Sequence, residues 1–432
     1  MFIEFSVANF RSILTRQTLS MVASVDKAHR SRNVVETQDR DLALNRSSVI
    51  YGPNAAGKSN LLRALQTLQQ LVQLSAGAFQ EGQALPVRPF LFAAASDTEA
   101  TEFEIVFVAE DRVRYQYGCI LNAERVFKEW LIAYPQGRAQ RWFEREWESE
   151  QKTGTRWWFG PNFKGDRAER KVWQDFTRAN ALFLSTAIQL NNAQLKPVFN
   201  WLTQKLIVLG PQVQFNPFLS LELLRGGAGL EKLMGFMCAA DVGIDRLELH
   251  EEEVAPAVPG PVPPGAMRLH VELPPGVGIA QASNKRVQVL AWHNRDGSTE
   301  QVPLDLVEES DGTQKLFEFA GGWLRALESG AALFVDELDR SLHPHITRFL
   351  VERFHSQHND RNAQLVFTTH DTTLLDSDLM RRDQVWFVEK DSQRASHLYS
   401  LLDYSPRKDE ALERGYLKGR YGAIPFVGNW DR

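Results

Sequence analysis

Gly52-Pro53-Asn54-Ala55-Ala56-Gly57-Lys58-Ser59 is the segment that most restricts what this chain can fold into. It fits G-x-x-x-x-G-K-[ST] and follows a short apolar run, Ser48-Val49-Ile50-Tyr51. After it, Leu61, Leu62, Leu65, Leu68, Leu71, Val72 and Leu74 recur at helical spacing. A strand, a glycine turn and a helix of about four turns or more are therefore predicted in succession. In such a turn the two glycines let the backbone wrap close to phosphate oxygens with its N–H groups inward. Lys58 would reach the β- and γ-phosphates and the Ser59 hydroxyl would ligate magnesium, with Pro53, Asn54, Ala55, Ala56 and Asn60 completing the binding segment. The helix N-terminus adds a favourable dipole. Chance places such a match in roughly one or two chains per hundred of this length, and the flanking strand and helix make an accident rarer still.

Two further segments carry chemistry. Ala331-Ala332-Leu333-Phe334-Val335-Asp336-Glu337 is an apolar run ending in two acids. Carboxylates are costly to bury unpaired, so acids at the end of a core strand point to a cation or a mechanism nearby. Asp336 is the candidate to hold magnesium, directly or through water, and Glu337 to orient and polarise an attacking water; an acidic turn leaving the sheet is the plainer alternative. Gln364–Thr368 reads as the next buried strand and leads into Thr369-His370-Asp371. A histidine at the carboxyl end of a parallel strand sits where α/β folds place ligands, and His370 could contact a γ-phosphate. A lone histidine is more often a satisfied core or surface residue. Its place on the strand after the carboxylate pair favours the functional role. Lys58, Glu337 and His370 are thus the catalytic candidates, and Ser59 and Asp336 the metal ligands.

Around these motifs the chain alternates in character. Residues 2–7 alternate as a strand, a turn follows at Asn9-Phe10-Arg11-Ser12, and a second strand is expected through Leu14–Met21. Residues 26–46 are polar and read as a loop. Residues 101–134 read as a meander with its turn at Glu110-Asp111, and helical patterns run from about 172 to 206. Val254–Gly265 is Pro- and Gly-rich and predicts an exposed extended loop. Gly312–Glu328 and Ile346–His355 read as helices, and Val385–Val388 as a strand. Strands alternating with helices imply parallel βαβ units with helices on both faces of the sheet.

Composition excludes several classes. Hydrophobic residues at 43% and charged residues at 24% of 432 are those of a globular protein with a substantial core. The two cysteines, Cys119 and Cys238, have no metal-site spacing and fit a reducing cytoplasm. No apolar run approaches the roughly 18–20 residues of a membrane helix, and Met1-Phe2-Ile3-Glu4-Phe5 does not begin a secretory signal. The net charge of −5 argues against coating nucleic acid through overall basicity, without excluding a local basic groove.

Taken in this order, the three motifs resemble the ABC-type ATPases. The likeness is closer to the Rad50, SMC and RecF group, in which an insertion divides the two halves of the nucleotide fold. Phe5-Ser6-Val7-Ala8-Asn9-Phe10-Arg11-Ser12-Ile13 is similar to the N-terminal strand and turn of that group. More narrowly, the chain resembles the AAA15 or RloA-like ATPases of bacteria, which often occur in phage-defence or restriction-linked operons. The likeness covers residues 1–65 and 305–390, and Tyr421-Gly422-Ala423-Ile424-Pro425 is similar to that family's ending.

The resemblance implies an α/β, ABC-type P-loop nucleotide-binding fold, a mixed sheet with flanking helices, interrupted by an α+β insertion. The expected divisions are 1–100, 101–300 and 301–432. It implies ATP and magnesium as cofactors. It also places the signature motif at Glu309–Lys315, where Ser310 and Gly312 match the family pattern and Asp311 and Thr313 depart from it. From the residues alone, Ser310 is a good N-cap. In the family the signature serves the partner's nucleotide, so ATP would be sandwiched between Lys58 and Ser59 of one subunit and Ser310 and Gly312 of the other, in a homodimer. Leu338-Asp339-Arg340-Ser341 matches the D-loop; the following His343 has no evident role. Gln116 and Gln189 are the candidates for the Q-loop glutamine. By resemblance the activity is ATP hydrolysis serving anti-phage defence, with a separate nuclease or toxin as effector. The alternatives are a DNA-repair clamp in the manner of RecF or Rad50, with DNA as partner, and an ATP-switched scaffold without turnover. The intact Glu337 argues against the last.

The insertion carries Trp142, Trp147, Trp157, Trp158 and Trp173, interleaved with Arg138, Arg141, Arg145, Arg167, Arg170 and Lys171. Such a mixture can stack bases and track a nucleic-acid backbone, or dock a partner protein. Glu144, Glu146, Glu148, Glu150 and Glu169 dilute the positive field. A helix or hairpin whose tryptophans pack on the core is the better reading.

Overall fold

The structure, a computed structural model, describes residues 1–37, 39, 42–93, 96, 98–148, 154–210, 218–240, 243–253, 285–295, 300–405 and 411–425. The Pro-rich stretch 254–265 lies outside them. The N-terminal alternation forms β1 (Phe2–Ala8), and β2 (Gln17–Ser20) pairs with it antiparallel. The segment 26–46, expected as a loop, instead contains a single helical turn α1 (Arg30–Asn33) and the hairpin β3 (Val34–Glu36) and β4 (Ala43–Asn45). Val34, Val35 and Leu44 bury its apolar side, a pattern too short to stand out from the polar sequence around it.

β5 (Ser47–Tyr51) runs into the glycine turn and α2 (Lys58–Leu74) out of it. The meander is β6 (Thr101–Val108), β7 (Arg114–Leu121) and β8 (Val126–Tyr134), continued by β9 (Gln140–Glu148) and β10 (Gly154–Phe159). The helical stretch predicted over 172–206 is broken into α3 (Arg167–Asp175), α4 (Phe183–Gln189), α5 (Lys196–Asn200) and a π turn at Trp201–Lys205. It ends in a strand, β11 (Leu206–Leu209). Then come α6 (Phe218–Arg225), α7 (Gly227–Ala239), β12 (Arg246–Glu253), β13 (Lys285–Asn294) and β14 (Gln301–Asp305). The last third is α8 (Asp311–Ser329), β15 (Ala332–Val335), α9 (Pro344–His355), β16 (Gln364–Thr368), β17 (Val385–Lys390), β18 (Ser396–Ser400) and α10 (Leu412–Leu417).

These strands form two large sheets and two small ones. One is antiparallel, in the order β10-β9-β8-β7-β6-β1-β2; the other runs β11-β15-β16-β5-β17-β18 and is parallel except for β18. This is the α/β arrangement, a mixed sheet with flanking helices, that the sequence predicts. The parallel strands are apolar on both sides, as burial on both faces requires. Val49, Tyr51, Leu333, Val335, Leu365, Phe367 and Phe387 face a core closed by α8 and α9. Their neighbours Ile50, Phe334, Val366 and Val388 face a second core shared with α2 and the antiparallel sheet. One face is thus covered by helices and the other by a helix and a sheet.

The expected divisions at 100 and 300 do not follow these sheets. β1 and β2 belong with β6–β10, β11 joins the parallel sheet beside β15, and the three-stranded sheet β12-β13-β14 straddles residue 300. A buried glutamine stitches the two large sheets together. The Gln364 amide accepts from Phe2 N (2.6 Å) and donates to Phe2 O (3.0 Å) and Asn45 O (3.2 Å), standing in for a strand backbone at the start of β16. The Tyr421–Pro425 tail packs on β17 and β18, with Tyr399 donating to Tyr421 O and Ala423 N to Glu389. Among the described residues no helix is long and apolar enough to cross a membrane.

Candidate functional site

The fully buried β5 delivers the chain into the turn at Gly52. A Cβ at Gly52 would lie 2.3 Å from Val388 O, so only glycine admits this approach. Gly57 has φ 115°, a conformation open to glycine, and the Ser396 and Ser12 hydroxyls crowd the place of a Cβ. Lys58 opens α2 and is only 6% exposed. Its ammonium donates to Gly52 O (2.6 Å) and Pro53 O (3.3 Å) and lies 3.2 Å from His370 Nε2. Burial lowers the Lys58 pKa, opposed by Asp336, Glu337 and Asp339. Burial, and then Lys58, lowers that of His370. The second effect favours a neutral imidazole, whose Nε2 can accept from the Lys58 amine. The His370 backbone N–H donates to the Asp339 carboxylate at 3.2 Å.

β15 and β16 lie side by side and end together. Asp336, 4% exposed, accepts through Oδ1 from Thr368 Oγ1 at 2.5 Å, while its Oδ2 is buried without a partner. Thr368 Oγ1 in turn accepts from Glu337 N at 2.7 Å. Glu337 takes a left-handed φ of 52° and pairs with Arg340 at 3.5 Å. A buried carboxylate oxygen without a hydrogen-bond partner is costly unless a donor or a cation meets it. Among the described residues no group of three or more His, Cys, Asp or Glu side chains could hold a metal. Asp336 has the donor chemistry to hold a divalent cation, which would screen developing phosphate charge.

The structure therefore brings Lys58, Asp336, Glu337 and His370 to one place. It uses other candidates differently. The Asn60 amide donates to Ser12 Oγ (2.8 Å) and accepts from Arg63 (3.2 Å), so its side chain braces the turn. Ser310 caps α8, accepting from Thr313 N at 3.2 Å. A Cβ at Gly312 would lie 2.8 Å from Ser341 O, so the start of α8 rests on the 338–341 turn. No hydrogen bond or ion pair joins Ser310 or Gly312 to residues 52–60 of the same chain among the described residues.

Neither Q-loop candidate has a hydrogen bond to the glycine turn among the described residues. Gln116 lies on β7, bonded to Glu104 and Tyr134. Gln189 reaches Gly77, past the far end of α2, and 17 residues of helix span roughly 25 Å. His343 proves to be the N-cap of α9, with Pro344 at the first helical position. Sequence reading missed Thr368 and Ser396, and named Asp339 only as part of the D-loop match. A hydroxyl ending the apolar run Leu365-Val366-Phe367 was the available signal for the first.

The Trp-rich stretch is structural where it is described. Trp142 and Trp173 are buried, and Trp157 packs on Phe159 and Phe183. Arg141, Arg145 and Arg156 are paired with Glu144, Glu129 and Glu146. Glu150 lies outside the described residues.

A phosphate-type glycine turn on a parallel sheet, with a carboxylate pair ending the strand two places away, defines a P-loop nucleotide-binding domain. A family model described as "AAA domain, putative AbiEii toxin, Type IV TA system" matches residues 47–198 and 244–376, and the chain belongs to that family. The matched spans contain the glycine turn, Ser310, the carboxylate pair and His370. No curated protein matches the chain. Among solved structures, it is similar to an SMC head bound to the C-winged helix domain of ScpA (12% identity over 92% of this chain and 97% of that one, TM-score 0.41). It is also similar to the SMC head domain from Thermotoga maritima (12%, 92% and 98%, 0.37). A third is an Smc head with an extended coiled coil bound to the C-terminal domain of ScpA derived from Pyrococcus furiosus (10%, 94% and 97%, 0.39). Likeness this distant carries nothing about function.

Proposed function

We propose that the chain binds ATP with magnesium at Gly52–Asn60 and hydrolyses it. The observation that carries this reading is the buried, unpartnered Oδ2 of Asp336, set beside Thr368 and within the electrostatic reach of Lys58. In this reading the loop amides and Lys58 bind the phosphates, and Ser59 and Asp336 hold magnesium. Glu337 orients and polarises the attacking water, and His370 exchanges its contact with Lys58 for one with the terminal phosphate. Ser310 and Gly312, with no hydrogen bond to their own chain's loop among the described residues, complete the site of a second copy in an ATP-dependent homodimer. We place this ATPase as the sensor or regulator of an anti-phage defence system acting on a separate nuclease or toxin, a reading supported by the toxin–antitoxin description of the family. The alternative of a DNA clamp draws no support from the Trp-rich strands, whose arginines are engaged by acids.

Glu337→Gln tests the reading. Nucleotide binding, followed with a fluorescent ATP analogue, should persist while hydrolysis falls on the order of 10²–10⁴-fold, the usual worth of a positioned acid or base. Light scattering should show the dimer stabilised by ATP. Unchanged turnover would remove Glu337 from the role.

A further inference from the structure

We infer that Thr368 is a positioning residue that aims both carboxylates of the site, an inference that rests on the nucleotide reading. Thr368 ends β16 and is completely buried. A hydroxyl has one proton to give and lone pairs to accept with. Here the proton goes to Asp336 Oδ1 at 2.5 Å, a length typical of O–H donation to an ionised carboxylate. A lone pair takes the backbone N–H of Glu337 at 2.7 Å. The Thr368 carbonyl accepts from Leu338 N at 3.0 Å, which closes the turn from the other side.

Two consequences follow from this geometry. With Oδ1 engaged, the Asp336 carboxylate cannot rotate freely, and the buried Oδ2 is the oxygen left to meet a cation. Glu337 meanwhile holds a left-handed backbone, rare for a side chain of its kind, and the bond to Thr368 pins the peptide that sets it. One side chain on the neighbouring strand thus fixes the metal-side carboxylate and the backbone that carries the water-side one. Partners that orient a ligand in this way govern metal affinity without touching the metal. The branched carbon does the packing and the oxygen does the aiming, so substitution can separate them. Valine keeps the shape and removes the hydroxyl; serine keeps the hydroxyl.

The experiment titrates magnesium into the full chain holding a fluorescent ATP analogue, with turnover measured in parallel. Wild type should bind the analogue and gain affinity with magnesium. In Thr368→Val the magnesium needed for half the gain should rise about 10–100-fold, as for loss of an outer partner of a metal ligand. Its metal-free affinity for the analogue should match wild type, and kcat should fall while KM changes little. Thr368→Ser should restore the wild-type magnesium dependence. A Thr368→Val chain with wild-type magnesium dependence and kcat would overturn the inference. So would a Thr368→Ser chain as impaired as Thr368→Val. Should Thr368→Val fail to fold, Thr368→Ala against Thr368→Ser gives the same comparison. A wild type that binds no analogue would instead overturn the nucleotide reading itself.

Discussion

Lys58 and His370, 312 positions apart in sequence, meet across the glycine turn at 3.2 Å, the lysine ammonium already bonded to the carbonyls of Gly52 and Pro53. The lysine is therefore folded into its own loop, and a phosphate entering there must win it from three partners.

His370→Gln should separate binding from turnover. Nucleotide affinity should stay close to that of wild type, because the loop amides and the Lys58 side chain remain, while hydrolysis should drop by on the order of 10²-fold or more. The lowered pKa of His370 means that the neutral ring persists below the usual histidine range and that the contact with Lys58 is lost as pH falls through it. The acid limb of the wild-type rate profile should lie below pH about 6.5 and be altered in the variant.

Gly312→Ala tests how closely α8 must sit on the 338–341 turn. The new methyl meets the Ser341 carbonyl, a backbone atom that cannot step aside alone. Overpacking of this kind costs about 1–3 kcal/mol. Chemical denaturation should show that loss, and ATP-dependent dimerisation should weaken more than ATP binding.

The Glu129–Arg145 pair anchors the helical segment to the antiparallel sheet. Both side chains are buried. Glu129 accepts from Arg145 Nε (2.9 Å), Tyr117 OH (3.0 Å) and the backbone N–H groups of Phe183 (2.7 Å) and Leu184 (3.0 Å) at the start of α4. Arg145→Met strands the carboxylate and should cost about 3–5 kcal/mol in urea unfolding. Changing Glu129 as well should recover only part of this, because α4 loses its cap.

His355 gives the fold an acid limit. It is buried, its Nε2 is 2.8 Å from Ser47 Oγ, its Nδ1 has no partner, and burial pushes its pKa down to about 3. Between that value and the ordinary 6.5 the unfolded chain holds a proton that the folded chain lacks. Stability contributed by the neutral ring is therefore complete above pH 6.5 and falls as pH drops toward 3. From pH 7 to pH 4 the loss should be at most about 3 kcal/mol. Melting curves of wild type and His355→Gln should diverge in slope over that window.

Much of the site was legible because its marks are local. Glycines at fixed spacing, an apolar run ending in Asp336 and Glu337, and a strand ending near His370 can each be read within a few residues. Ser310 was recognisable as a cap for the same reason. Thr368, Gln364 and β11 were not, because what each does depends on a partner far along the chain: Asp336, Phe2 and β15. Four apolar residues such as Leu206–Leu209 read equally well as the end of a helix or as a strand, and only the neighbouring strand decides. The Q-loop glutamine could not be singled out because a glutamine carries no local mark at all.

The amide of Gln364 gives β16 a mechanical character. One end of this strand bears the residues around Asp336 and His370; the other, about 13 Å away, is fastened to β1. A five-residue strand bonded on both sides behaves as a stiff rod. A displacement at its chemical end would reach Phe2 through the Gln364 bonds. From there it enters a ribbon of six further strands. One edge of that ribbon is β10, where Trp158 stands exposed, so the phosphate loop and this outer edge belong to one continuous hydrogen-bonded framework.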